Sequence, residues 1–167
     1  MSTTEFTYDV ASALWQGARP YQEDNLQTGF EGGASSGFSV LADGMGGAAA
    51  GGLASELVVV DAFERLKGLM DDPEGLEARL HQELRGAIET ANQVIADRGA
   101  EDISVRGMGA TFLATVLFGN RLYWASVGDS PLFLFRNGEL HQINEDHSLA
   151  PVIDQMVERG ELTAEEA

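Results

Sequence analysis

The feature that most constrains this chain is a change of hydrophobic period at one glycine-rich turn. Residues 37–43 (GFSVLAD) form a compact apolar run bounded by glycines, the pattern of a buried strand. Beyond Asp43-Gly44-Met45-Gly46-Gly47 the spacing becomes helical. Leu53, Leu57 and Asp61, with Ala54, Val58 and Ala62, place one buried stripe on a helix from about residue 47 to 70. Asp72-Pro73 then signals a second helix, with an N-cap carboxylate and a proline at the first helical position. Leu76, Leu80, Leu84, Ile88, Ala91 and Ile95 carry that helix to about Arg98, with Gly99 as its C-cap. A link this short requires the two helices to pack antiparallel.

Strand signals flank the helix pair on both sides. Residues 6–15 alternate loosely, and residues 25–30 form a short strand. After the helices, residues 110–118 and 122–127 flank Gly119-Asn120, and residues 131–135 and 139–143 flank Asn137-Gly138, two hairpin turns. Residues 148–167 read as a short polar helix. Strands, a helix pair and more strands predict an α+β fold with segregated layers instead of βαβ alternation. No repeat or linker interrupts the chain, so residues 1–167 are expected to form a single domain.

Composition narrows the function. Forty-four per cent of the 167 residues are apolar, enough for one core, and no run approaches the ~18 apolar residues that span a bilayer. Cysteine is absent, which excludes disulfides, thiolate metal sites and cysteine nucleophiles. The net charge is −17 and Lys67 is the sole lysine, so nucleic acid and anionic membranes are not expected partners. The first residues lack the basic start and apolar run of a secretion signal, and a cytoplasmic protein is the expectation.

Three acidic turns remain as candidates for chemistry. They are Arg19-Pro20-Tyr21-Gln22-Glu23-Asp24, Asp43-Gly44-Met45-Gly46-Gly47 and Gly128-Asp129-Ser130. Carboxylates at strand ends, with glycines that let backbone carbonyls approach, make an oxygen-only donor set suited to magnesium or manganese. An arginine beside them can clamp a phosphate bidentately. Each turn alone is ordinary: Asp-Gly and Gly-Asp-Ser are mostly turns, and a lone arginine is mostly a surface residue. Their order along one chain carries the weight.

That order resembles the protein phosphatase 2C family in its compact bacterial form. The resemblance runs through G-A-R-P-Y-Q-E-D-N, L-A-D-G-M-G-G, G-A-T, V-G-D-S, N-G-E-L and E-D-H-S-L, nearly the whole chain. It implies a two-layer antiparallel β-sandwich flanked by helix pairs. It also implies two manganese or magnesium ions, with a third ion in some members, and hydrolysis of phosphoserine or phosphothreonine in proteins by a metal-activated water. Carried over by position, Arg19 would bind the substrate phosphate and Asp43 would bridge the ions. Gly44 would offer its carbonyl, Glu23 and Asp24 would act directly or through waters, and Asp129 would match the third-ion ligand. Ser130 has no nucleophilic role in such a scheme. The implied partner is a phosphorylated protein, with a serine/threonine kinase in opposition.

Three departures qualify the resemblance. Met45 stands where animal members carry a histidine, as is common in bacterial members, and Pro131 replaces the arginine usual after Gly-Asp-Ser. The family also uses two later aspartates, in Asp-Gly and Asp-Asn pairs. Here Asp43-Gly44 and Asp24-Asn25 are the only such pairs, so the chain is expected to lack its C-terminal strands, with open sheet edges that favour a homodimer. The rival reading is a catalytically incomplete module of the same fold, acting in binding or regulation. A dinucleotide site at Gly44-Met45-Gly46-Gly47-Ala48-Ala49 fits less well, because Asp61 falls inside the helical stripe and no βαβ unit follows.

Overall fold

In chain order the first elements are β1 (Asp24–Gly29), β2 (Ser36–Met45), α1 (Ala48–Asp71) and α2 (Leu76–Glu101). A turn of 3-10 helix (Ile103–Val105) leads to β3 (Gly109–Ala110), β4 (Phe112–Phe118) and β5 (Arg121–Val127). The structure is a computed structural model that describes residues 7–31, 35–71, 74–148 and 150–163. The chain divides after Ser126 into two compact units.

In the first unit the strands order β1-β2-β4-β5, with β3 on β2. β1 lies antiparallel to β2, from Asp24 opposite Asp43 to Gly29 opposite Phe38. On the other side, β4 runs from Leu113 opposite Leu41 to Phe118 opposite Ser36. Ala110 opposite Gly44 and Gly109 opposite Met45 continue the same register, so β3 and β4 are one strand interrupted at Thr111. Gly119, at φ 58°, turns β4 into β5 as expected.

The period of two decides what is buried. Phe38, Val40, Ala42 and Gly44 of β2 turn inward, and the first three meet Val58, Val59, Ala62 and Leu66 of α1, while Ala54 packs with Ala50, Val105 and Met108 in a second cluster. Leu76, Leu80, Leu84, Ala87 and Ala91 of α2, with Phe112, Ala114 and Val116 of β4, complete the first cluster. The buried stripe of α1 thus centres on Ala54, Val58 and Ala62, while Leu53, Leu57 and Asp61 lie half-buried at its edge. Across the helix pair, Arg65 Nη2 donates to Glu83 Oε2 at 2.9 Å. Gly86 leaves room for this arginine, since a Cβ there would sit 2.7 Å from Nη2.

Two expectations need correction. Residues 7–16 form no strand; Val10, Leu14 and Trp15 are exposed, Trp15 by 87%, so the loose alternation finds no ladder to join. Residue 6 lies outside the described residues. Gly99 is inside α2, not its cap. The cap is Asp102, whose N–H donates to the Arg98 carbonyl at 3.1 Å and whose side chain accepts the Ser104 N–H. The Asp72-Pro73 start also lies outside the described residues, and Gly75, at φ 65°, precedes Leu76.

The second unit contains β6 (Phe133–Arg136), β7 (Glu139–Gln142) and α3 (Ala150–Glu158). Asn137 (φ 55°) and Gly138 (φ 86°) join β6 to β7 with both central residues left-handed, as an Asn-Gly hairpin requires. Asn144 braces the base of this hairpin, accepting the Leu132 N–H at 2.7 Å and donating to the Ser130 carbonyl at 2.9 Å. The fold is therefore α+β with antiparallel sheets, as the sequence implies.

Candidate metal centre

The first two acidic turns meet where β1 begins and β2 ends. The Gly44 N–H donates to the Glu23 carbonyl at 3.1 Å, so Glu23 and Gly44 oppose each other as a hydrogen-bonded pair. Asp24 and Asp43, one residue further in, form a pair without ladder hydrogen bonds. Such pairs approach to about 4.5 Å between Cα atoms with both side chains on one face. Because Ala42 and Gly44 turn inward, that face is the one away from α1. Two like charges directly opposite each other disfavour the sheet and attract a cation.

Glu23 takes the other face. Its side chain is 11% exposed and lies over the first turns of α1, where a Cβ on Gly51 would collide with Oε1. Gly44 is needed for a similar reason: a Cβ there would strike the Gly51 carbonyl. The glycines of this turn thus let strand, helix and carboxylate approach within backbone contact.

Three residues that the sequence reading did not single out hold the acidic turn in shape. The Gln22 side-chain oxygen accepts the N–H groups of Glu23 and Asp24, each at 3.0 Å, an Asx-like closure of the turn. Ser55, fully buried on α1, donates its hydroxyl to the Glu23 carbonyl and accepts from Asn25 Nδ2 at 2.8 Å. Thr111 accepts the Asp43 N–H on its Oγ1 at 2.8 Å and donates its own N–H to the Asp43 carbonyl at 2.8 Å. A signal existed for two of them. Ser55 is a polar residue within an apolar helical stretch, and Thr111 ends the G-A-T run.

Arg19 lies beside Glu23, its side chain 72% exposed and Nη1 3.7 Å from Glu23 Oε2. At that distance and exposure the ion pair is a loose surface contact that leaves the guanidinium accessible. Met45, 65% exposed, leans over Gly109, where a Cβ would sit 2.6 Å from its Cε.

The structure therefore brings Asp24, Asp43, Gly44, Glu23 and Arg19 to one end of the β1–β2 pair. Asp129 belongs to the second unit, exposed beside Gly128, whose φ is 100° and whose carbonyl accepts the His147 N–H at 3.1 Å. Among the described residues no group of three or more Asp, Glu, His or Cys side chains is clustered to hold an ion. The period of two explains this within the first unit, since it sends Glu23 to the face opposite Asp24 and Asp43. What fits a cation is a pair of opposed carboxylates, with oxygen donors alone, as hard divalent ions require.

Comparison with known proteins identifies the family. The sequence profile of the family described as Protein phosphatase 2C matches residues 19–157. The chain is 40% identical over 127 residues to the serine/threonine protein phosphatase PstP of Mycobacterium tuberculosis, covering 76% of this chain and 23% of PstP. It is 33% identical over 152 residues to the serine/threonine phosphatase stp of Listeria welshimeri, covering 89% of this chain and 57% of the relative. The crystal structure of the PstP catalytic domain in complex with two manganese ions superposes with a TM-score of 0.67 at 36% identity, covering 89% of this chain and 58% of that one. The chain thus spans between about a quarter and three fifths of these relatives. With the profile match running from the Arg19 turn into α3, the chain belongs to the protein phosphatase 2C family.

Proposed function

We propose that this chain forms part of the catalytic domain of a metal-dependent protein phosphatase acting on phosphoserine and phosphothreonine. The observation that carries the reading is the directly opposed pair Asp24–Asp43 at the end of the β1–β2 ladder. Asp43, Asp24 and the Gly44 carbonyl would hold manganese or magnesium, with Glu23 acting from the helix side. Bound divalent ions supply Lewis-acid polarisation of phosphoryl oxygens and a water nucleophile available near neutral pH.

The chain's own residues supply geometry and charge. Gln22, Ser55 and Thr111 fix the backbone of both acidic turns, so the carboxylates need little reorganisation to receive an ion. Arg19 projects an accessible guanidinium beside Glu23 and would bind the substrate phosphate with two parallel N–H donors. Asp129 enters on the family pattern alone, as ligand of a further ion. We assign residues 1–167 to one phosphatase-like domain, supported by a family match that continues through both units.

The partners follow from the same reading: a phosphorylated protein, and a serine/threonine kinase that adds the phosphate. No described helix is long and apolar enough to cross a membrane, and we place the protein in the cytoplasm. β1 and β5 are the outer strands of the described sheet, and a homodimer would pair one of them across two copies.

A manganese titration followed by electron paramagnetic resonance tests the reading. The chain should bind the ion, and Asp43→Asn should weaken binding at least tenfold; equal binding by both would remove the metal-centre assignment. A second reading is a binding or regulatory module of the same fold, since the described residues place only two carboxylates, Asp24 and Asp43, directly opposite each other. Arg19-dependent capture of a phosphothreonine peptide without turnover would select that module. Manganese-dependent release of phosphate, lost in Asp43→Asn, would select the enzyme.

A further inference from the structure

Two opposed residues in a hydrogen-bonded antiparallel pair exchange both backbone bonds, each N–H donating to the other's carbonyl. Asp43 and Thr111 stand at such a position, because Leu41–Leu113 on one side and Gly44–Ala110 on the other keep one register. Only half of the exchange is regular. Thr111 donates its N–H to the Asp43 carbonyl at 2.8 Å, but the Asp43 N–H goes to Thr111 Oγ1, also at 2.8 Å. The side chain has taken the place of the backbone carbonyl, and the ladder between β3 and β4 is interrupted at this residue alone.

We propose that Thr111 is a positioning residue for Asp43. The proposal rests on the metal-centre reading above and adds to it the group that aims the carboxylate. Both hydrogen-bonding groups of the Asp43 backbone are tied to Thr111, and the next N–H, that of Gly44, is tied to Glu23. These bonds fix the Asp43 backbone and hence the direction of its side chain. Threonine suits the role because two heavy atoms on Cβ restrict χ1, so the hydroxyl is a stiff acceptor. It holds the Asp43 backbone and touches neither ion nor substrate in this scheme.

The test compares wild type, Thr111→Val, Thr111→Ser and Thr115→Val in the 167-residue chain. Thr115 lies on the same strand and exchanges a hydroxyl hydrogen bond with Ser39 at 2.6 Å, away from the acidic turns. It reports the general cost of losing a hydroxyl from β4. Two quantities are read: the manganese dissociation constant by paramagnetic resonance, and hydrogen exchange of the Asp43 amide without metal. Loss of an orienting partner around a metal ligand weakens binding about 10- to 100-fold. Thr111→Val should show that loss and faster Asp43 exchange, Thr111→Ser should recover both, and Thr115→Val should leave both unchanged. Wild-type affinity and exchange in Thr111→Val would overturn the proposal. If wild type binds no manganese, the metal-centre reading falls, while the exchange data still decide whether Thr111 orders Asp43. Thr111→Ala, read the same way, replaces Thr111→Val should the latter not fold.

Discussion

Asp24 and Asp43 face each other directly across β1 and β2, one residue inside the hydrogen-bonded pair of Glu23 and Gly44. Two carboxylates placed this way disfavour the sheet, and a divalent cation reverses the sign of the interaction. Asp24→Asn should therefore raise stability by about 0.2–1 kcal/mol without metal while lowering manganese affinity. Urea unfolding with and without manganese measures both. A variant that loses stability in metal-free buffer, with unaltered manganese binding, would refute the cation-site account.

Ser55 is fully buried and links α1 to the Glu23 carbonyl and to Asn25. Ser55→Ala removes one of the two partners of the Glu23 carbonyl, which keeps the Gly44 N–H, and one of the two partners of Asn25 Nδ2, which keeps the Gly52 carbonyl. The cost should be that of lost hydrogen bonds, about 0.5–1.5 kcal/mol each. The urea midpoint should fall with an unchanged slope. A midpoint equal to wild type would mean that water replaces the hydroxyl at no cost.

Gly44 has no room for a side chain, since an added Cβ meets the Gly51 carbonyl and lies 2.8 Å from the Glu23 carbonyl. Both obstacles are backbone, so the strand end or the start of α1 must move. Gly44→Ala should cost at least the ~1–3 kcal/mol of ordinary overpacking and abolish manganese binding, read by thermal unfolding and titration. Gly68, with open space around its Cβ position, is the control, and Gly68→Ala should be neutral or stabilising.

Asp61 sits at the edge of the α1 stripe, where burial raises its carboxyl above the ordinary 3.8 and the nearby Arg65 charge offsets only part of that rise. One of its oxygens, Oδ2, is buried without a hydrogen-bond partner. A raised folded-state value means that the folded chain holds this proton more tightly than the unfolded one. Stability from this group is therefore present below 3.8 and lost as pH rises through the folded value. Asp61→Asn should remove that descending component from a plot of unfolding free energy against pH and gain stability at pH 7. A wild-type curve that rises over the same interval, with no difference in the variant, would contradict the assignment.

Much of the architecture is legible in the sequence because its signals are local. The shift from period two to period 3.6 at Gly44–Gly47 depends on neighbouring residues only, and so does the left-handed Asn137-Gly138 turn. The loose alternation of residues 6–15 misleads over its described part, residues 7–15, for the complementary reason: alternation permits a strand, but a ladder partner makes one. Gly99 misleads as a cap because the tie from the Asp102 N–H to Arg98 carries the helix onward.

The sequence by itself determined the family, the acidic turns and the residue types that suit a divalent cation, since these reside in the order of motifs. Only the tertiary structure decided that Asp24 and Asp43 share a face while Glu23 takes the opposite one. Pairing register settles this, and a slip of one residue would invert it. The parts played by Gln22, Ser55 and Thr111 were likewise decided by the fold. A hydroxyl gains meaning from the donor or acceptor it meets, and Ser55 meets Glu23 across 32 residues while Thr111 meets Asp43 across 68. No local pattern encodes such meetings, because packing of α1 on the sheet and the β2–β4 ladder brings the groups together.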